Sequence, residues 1–339
     1  MTETVLVTGG TGFVGGWQIV ELLRRGYAVR ATVRSLSKEA SVRAAVATEV
    51  EPSDRLSFAV ADLMRDDGWD AAVAGCDYVL HVASPLGGAP GTDDALIAAA
   101  RDGTLRVLRA AVRAKVKRVV MTSSTAACSP PLRSPSSTGN DETRWTDIDV
   151  GPLTGYRRSK ILAERAAWAF MRAEGGTTEL VTVLPTAIFG PILTSESMSS
   201  VAIIQRFLNG KMAAIPRLGF SVIDVRDLAV AQVLAMTTPA AAGERFIACN
   251  EFMWFEDVAR TLRERLGDRA AKVPTKRMPS VVMRAAAVMN PGLRGLIPTL
   301  GRGHAYTSAK AQRLLGWTPR PAADTLVDCA ESLIVRNAA

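Results

Sequence analysis

Three glycines at positions 9, 12 and 15 stand between an apolar run, Val5-Leu6-Val7, and a stretch with helical spacing from Phe13 to Arg25. The run begins almost at the start of the sequence and predicts a buried first strand. Beyond the glycines, Val14, Ile19, Val20, Leu22 and Leu23 can share one broad face of a helix. The intervening Thr8-Gly9-Gly10-Thr11-Gly12-Phe13-Val14-Gly15 must turn sharply, and residues without a Cβ allow both the turn and the close approach of another group. The first N–H groups of the new helix and its positive dipole end then face outward, an arrangement suited to phosphate. The spacing is three and three, against two and three in the commonest dinucleotide fingerprint. In this setting Gly9, Thr11, Gly12, Phe13, Val14 and Gly15 are predicted to hold a dinucleotide.

Further strands are predicted at Ala28–Val33, Leu56–Ala61, Val79–Pro85 and Val119–Ser124, alternating with helical stretches. This is the pattern of an α/β protein with a Rossmann-type, doubly wound parallel sheet. The end of the second strand selects the cofactor. An NAD site places an acid about 20 residues beyond the glycines to hold the ribose 2′-hydroxyl. This chain has Arg34, then Ser35-Leu36-Ser37-Lys38, and its first acid is Glu39. A guanidinium can pair with a 2′-phosphate and lie on the adenine, so Arg34 and Lys38 point to NADP(H). Asp62 and Leu63, after the third strand, are expected to flank the adenine. Val82, Ala83 and Ser84 occupy the carboxyl end of the fourth strand, where open parallel sheets bind ligands.

The fifth strand ends in hydroxyls, Ser123-Ser124, and Tyr156 and Lys160 fall four residues apart at the start of a predicted helix. That spacing puts phenol and ammonium on one face. A free tyrosine has a pKa of about 10, too high for acid–base work at neutral pH, and a neighbouring lysine is expected to pull it down. Ser124 would orient a substrate carbonyl and stabilise charge on its oxygen, although alternation along the strand lets only one of Ser123 and Ser124 face the site.

These residues together resemble the extended short-chain dehydrogenase/reductase family: Gly9 to Gly15, Ser124, Tyr156-Arg157-Arg158-Ser159-Lys160 and Leu315-Gly316-Trp317-Thr318-Pro319 occur in the family's order. Val33-Arg34, His81-Val82-Ala83-Ser84-Pro85, Leu184-Pro185-Thr186 and Asp224-Val225-Arg226-Asp227 are similar to the dihydroflavonol 4-reductase-like branch, which includes NADPH-dependent carbonyl reductases. The resemblance implies a catalytic set of Ser124, Tyr156 and Lys160, with Arg34 on the 2′-phosphate and Pro185 and Thr186 lining the nicotinamide pocket. It implies reduction of a ketone or aldehyde, with Tyr156 as proton donor. The same hydride machinery serves sugar epimerases and hydroxysteroid-type dehydrogenases, while a non-catalytic NADP-sensing regulator would commonly lack the tyrosine or lysine. Two departures matter. The fourth helix reads Ala100-Arg101-Asp102-Gly103-Thr104, without the asparagine that many relatives use for a proton relay. Thr125-Ala126-Ala127 stands where dehydratase relatives carry Asp-Glu.

The 339 residues suffice for two lobes. The expected division is a dinucleotide-binding domain of residues 1–191 plus 223–250 and a smaller, mainly helical substrate lobe of 192–222 plus 251–339. The chain returns to the main sheet through Ser221-Val222-Ile223 and Arg245-Phe246-Ile247-Ala248. Met198, Ile204, Phe207, Leu218 and Phe220 are read as lobe core, and Ser129–Pro152 as a loop that either walls the pocket or merely crosses the surface. Pro279–Gly303 is read as an outer helical segment of the lobe. The net charge of +8 is dispersed, which argues against nucleic acid as a partner and leaves a small-molecule carbonyl substrate. No uncharged apolar run is long enough to span a membrane, and a strand starting at residue 4 leaves no room for a signal peptide. Cys76, Cys128, Cys249 and Cys329 lack metal spacing and are read as buried thiols of a reducing cytoplasm. With only His81 and His304, no zinc or other metal site is expected, and His81 is read as a packed side chain. A monomer or a homodimer is expected.

Overall fold

The computed structural model describes residues 2–85, 93–151, 153–195 and 200–338. Met198 therefore lies outside the described residues. In chain order the strands are β1 (Thr4–Val7), β2 (Ala28–Val33), β3 (Leu56–Val60), β4 (Tyr78–His81), β5 (Arg118–Thr122), β6 (Ser137–Asn140) and β7 (Glu179–Pro185). They continue as β8 (Ala187–Phe189), β9 (Ile215–Pro216), β10 (Gly219–Asp224), β11 (Arg245–Ala248), β12 (Phe252–Trp254), β13 (Arg277–Met278) and β14 (His304–Tyr306).

Seven of them form one sheet in the order β11-β7-β5-β4-β1-β2-β3, every pair parallel. The central strands β1, β4 and β5 are buried on both faces, which explains why they read as near-continuous apolar runs. Val5, Leu80 and Val120 pack into one cluster with the helices Phe13–Arg24 and Val225–Thr237. Leu6, Val79 and Val119 face the other way, against Asp93–Arg113 and Gly155–Glu174. The strand order reverses between β1 and β4, so their carboxyl ends flank the crevice where doubly wound sheets bind ligands.

A second core gathers Phe189, Ile204, Phe207, Leu218 and Val222 with the helices Phe255–Leu266 and Ala322–Val335. Ile204, Phe207 and Leu218 are thus buried in this core, with Phe220 partly buried against it. The helix Ser280–Met289 buries Met283 and Ala287 and leaves Val281, Val282, Val288 and Met289 exposed. Among the described residues no helix is long and apolar enough to cross a membrane.

Two segments sit elsewhere than expected. Ser221-Val222-Ile223 does not join the main sheet: β10 pairs in parallel with β8 and antiparallel with β12, making a separate three-stranded sheet. Its apolar alternation was legible, but which neighbour it pairs with depends on where β8 leaves the main sheet. Ala311, Leu315 and Trp317, counted with the second lobe, pack instead into the first core. The reason lies in Asp224-Val225-Arg226-Asp227. Asp224 caps its helix by accepting the Arg226 N–H at 2.8 Å, and Arg226 bridges Asp224 and Asp328 at 2.7 and 2.6 Å. The Trp317 indole donates to the Asp227 carbonyl at 2.9 Å, and Arg320 pairs with the Asp227 carboxylate at 2.8 Å. This motif is a clasp that holds the C-terminal segment on the dinucleotide-side core.

Trp317→Ala removes a side chain only 2 % exposed together with its hydrogen bond. It is expected to destabilise the protein by about 3–5 kcal/mol, read as a lowered urea midpoint.

Candidate active site

The glycine turn lies against the carboxyl end of β4. Gly9 has φ +76°, and a Cβ there would press on Ala83 at 3.1 Å, so backbone and space both demand glycine. A Cβ on Gly15 would collide with the Gly9 carbonyl oxygen. Thr8, fully buried, ties the two strand ends together. The N–H groups of Val82 and Ala83 donate to its Oγ1 at 3.0 and 2.9 Å, and the same hydroxyl lies 2.9 Å from His81 Nδ1. With both lone pairs taken, the Thr8 proton must point to Nδ1, so His81 is neutral and carries its proton on Nε2, 3.3 Å from Thr104 Oγ1. Burial pushes the His81 pKa down to about 3, and Lys160 adds to the effect. His81 is a strap, as its apolar setting predicts, and Thr8 is a positioning residue that sequence reasoning missed.

The same region meets the needs of a dinucleotide. The helix Phe13–Arg24 has no side-chain cap and no acid in its first turn, so its leading N–H groups are open to an anion. Thr11, Gly12 and Phe13 line a cleft of about 510 Å³ with Leu193 and Thr194, and Val14 packs beneath on the first core. Arg34 is exposed beyond β2 and pairs with none of the described residues, while Glu39 is occupied by Arg43 at 3.0 Å. Lys38 is exposed in the Ser35-capped turn that follows. Asp62 accepts the Met64 N–H at 2.9 Å, and Leu63 supports the helix Asp93–Arg113, where a Cβ on Gly103 would stand 2.8 Å from it. Ser84 is half-buried next to Ala83.

Ser123 and Ser124 face apart, as alternation requires. The Ser123 hydroxyl donates into the core, to Glu164 at 2.6 Å. Ser124 accepts the Ala126 N–H at 3.1 Å, capping the turn Thr125–Ala127, and its hydroxyl stands near enough to the Tyr156 phenol to lower the phenol's pKa. Tyr156 and Lys160 share one face of Gly155–Glu174. Tyr156 is 36 % exposed, yet the protein packed around it holds its pKa above the ordinary 10.0. Burial is the main cause, opposed by the Ser124 hydroxyl and by Arg157. The expected lowering by Lys160 does not occur: desolvation wins, and the cation acting on the phenol is Arg157. At neutral pH the phenol carries its proton, the form a donor needs. Lys160 is 6 % exposed, and its pKa falls to about 8 through burial, with Glu164 opposing.

Glu164, one further turn along, is the second omission. It is fully buried and accepts from Ser123, Thr182 at 2.8 Å and Arg245 at 2.8 Å. Arg245 also donates to the carbonyls of Glu142 and Arg144 and stacks 3.7 Å over the Trp145 ring. Continuing the four-residue stripe Tyr156, Lys160, Glu164 would have found it. Thr125 donates to the Pro185 carbonyl at 3.4 Å, and the Thr186 N–H bonds Ala248 at 3.2 Å, setting both residues at the end of β7.

A second cleft, of about 590 Å³, opens beside this set; Arg157 and Thr186 line it with Phe220 and Tyr306. Ser129 and Leu132 supply one wall, and β6 within the same loop pairs with β14, so the loop walls the cleft rather than crossing the surface.

Comparison with known proteins agrees with this geometry. Residues 5–249 match the NAD dependent epimerase/dehydratase family. The chain belongs to that family, which bears out its likeness to the extended short-chain dehydrogenases/reductases. It is 35 % identical to a (2S)-flavan-3-ol-forming anthocyanidin reductase of Vitis vinifera over 288 residues, 80 % of this chain and 83 % of the relative. It is 37 % identical to cinnamoyl-CoA reductase 1 of Arabidopsis thaliana over 254 residues, 73 % and 70 % of the two chains. Among solved structures, yeast methylglyoxal/isovaleraldehyde reductase Gre2 complexed with NADPH superposes with a TM-score of 0.83 at 25 % identity, covering 99 % of this chain and 100 % of that one.

Glu164→Ala strands the Arg245 guanidinium in the core and is expected to cost about 3–5 kcal/mol in a urea denaturation series.

Proposed function

We propose that this protein is an NADPH-dependent reductase that delivers hydride to a ketone or aldehyde carbonyl. The observation that carries this reading is the meeting of Ser124, Tyr156 and Lys160 beside a glycine turn shaped for a dinucleotide. Bound NADPH supplies the hydride. The first turn of Phe13–Arg24 would hold the pyrophosphate, Arg34 and Lys38 the 2′-phosphate, Asp62 and Leu63 the adenine side, and Val82 to Ser84 with Pro185 and Thr186 the nicotinamide side. Tyr156 donates its proton to the carbonyl oxygen as negative charge develops there, and Ser124 orients that oxygen. Lys160, one helical turn on, holds the nicotinamide ribose. The segments around the second core supply the substrate side of the cleft. The reductase names of the relatives and the NADPH bound to the yeast enzyme support the reading.

Two substitutions test it separately. Tyr156→Phe is expected to lower kcat about 10²–10⁴-fold while leaving the Kd for NADPH near that of the parent. Unchanged turnover would refute the proton-donor role. Arg34→Ala is expected to weaken NADPH binding roughly 10–100-fold, the range of a charge-assisted pair, with NADH binding unaffected. Equal losses on both cofactors would refute its assignment to the 2′-phosphate.

A further inference from the structure

The cleft beside Tyr156 holds an electrostatic imbalance that the reduction of a plain carbonyl does not use. Arg157 lines it and makes no ion pair or side-chain hydrogen bond with any described residue. Its Nε is buried without a partner among the described residues, and burial depresses the guanidinium's pKa, with Tyr306, Tyr156 and Cys128 opposing. Arg302 lines the same cleft with only a carbonyl partner, Pro298 at 3.1 Å. Among the described lining residues there is no Asp or Glu. Three more lining side chains carry buried polar atoms without partners: Thr186 Oγ1, Ser221 Oγ and His304 Nε2.

A half-buried cation without a counter-charge is poorly stabilised, and polar atoms shut away without hydrogen bonds carry a cost; a ligand that answers groups collected around one cleft offsets both. Arg157 follows Tyr156 directly, and Thr125, which lines the cleft, follows Ser124. The Arg157 guanidinium also lies near enough to the Tyr156 phenol to act on it, so a ligand held by Arg157 stands close to the phenol. Resting on the reductase reading, we propose that the carbonyl substrate carries an oxyanion, a carboxylate or a phosphate, which Arg157 grips as a bidentate pair with Arg302 and Ser221 beside it. A guanidinium fork matches both groups, and the apolar Leu132 and Phe220 suit the body that joins the anion to the carbonyl.

The test compares aryl keto acids of increasing chain length with their methyl esters and with matched phosphate monoesters, in NADPH-driven steady-state kinetics. At least one anionic series is expected to exceed its neutral counterpart in kcat/KM by roughly 10–100-fold, the range one charge-assisted pair supplies. Arg157→Gln is expected to bring that ratio close to one, chiefly by raising KM for the anion. Equal use of acid and ester by the parent protein, or equal loss on both in the variant, would overturn the proposal. A binding measurement separates it from the reductase reading. Calorimetric titration with benzoate, phenyl phosphate and benzamide in the presence of NADP⁺ requires no turnover. Anion binding that benzamide lacks, and that Arg157→Gln abolishes, sustains the site even if no carbonyl is reduced. Benzamide binding as well as the anions, or anion binding surviving in the variant, sinks it. Removing an unanswered cation should also raise the Tm of ligand-free Arg157→Gln. A lowered Tm would identify Arg157 as structural and overturn the assignment.

Discussion

Glu164 is a carboxylate sealed in the middle of the protein, and the site is assembled around the charge it carries. It lies on the helix that presents Tyr156 and Lys160, and it draws in Ser123 at the end of β5, Thr182 on β7 and Arg245 on β11. Three strands of the main sheet and the helix Gly155–Glu174 are thereby locked at one depth. Arg245 extends the lock to the Glu142–Trp145 stretch through two carbonyls and the Trp145 ring, so the wall of the substrate cleft is anchored by the same ion pair. A buried pair is not a large source of stability by itself, because desolvation offsets most of the attraction. Its value here is geometric, since each partner can be satisfied in only one arrangement of the surrounding elements. It also limits how far burial can lower the Lys160 pKa, leaving that ammonium mostly charged at neutral pH.

The protein divides its electrostatics between two sides. On the dinucleotide side, positive character comes from an uncapped helix start and from an exposed, unpaired Arg34, both suited to phosphates. On the substrate side it comes from Arg157 and Arg302, set among apolar and hydroxyl-bearing walls. Between them stand neutral or proton-bearing groups: Tyr156 protonated, Ser124 near it, and His81 held neutral by Thr8. Proton donation to a developing oxyanion is favoured by cations nearby and by the absence of a competing carboxylate. Arg157 stands next to the phenol in sequence and lines the cleft.

Much of the site could be read from residue order. The strand–glycine–helix opening, the arginine in place of an acid after β2, and the Tyr156/Lys160 spacing all rest on local geometry. What escaped reading had one character. Thr8 acts on residues 73 to 75 positions away, and Arg245 on Glu164 across 81. The clasp from Asp227 to Trp317 spans 90. The strand Gly219–Asp224 was visible as a strand, but its partners were not, because alternation gives the face of a strand and not its neighbour. The phenol's raised pKa was missed for a related reason. Proximity to Lys160 follows from helical spacing, whereas the degree of desolvation depends on everything packed around the ring.

The sequence by itself determined the parallel, doubly wound framework, the place where a dinucleotide would lie, and the pairing of phenol and ammonium on one helical face. Those properties follow from backbone periodicity and from glycine's missing Cβ, both fixed within a few residues of chain. Tertiary structure alone decided which serine faces the phenol, how the C-terminal segment returns to the first core, and that Arg157, Ser221, Arg302 and His304 converge on one cleft with no acid among its described lining residues. Such properties depend on packing between segments distant in sequence, where burial sets the strength of each charge and no local pattern records it.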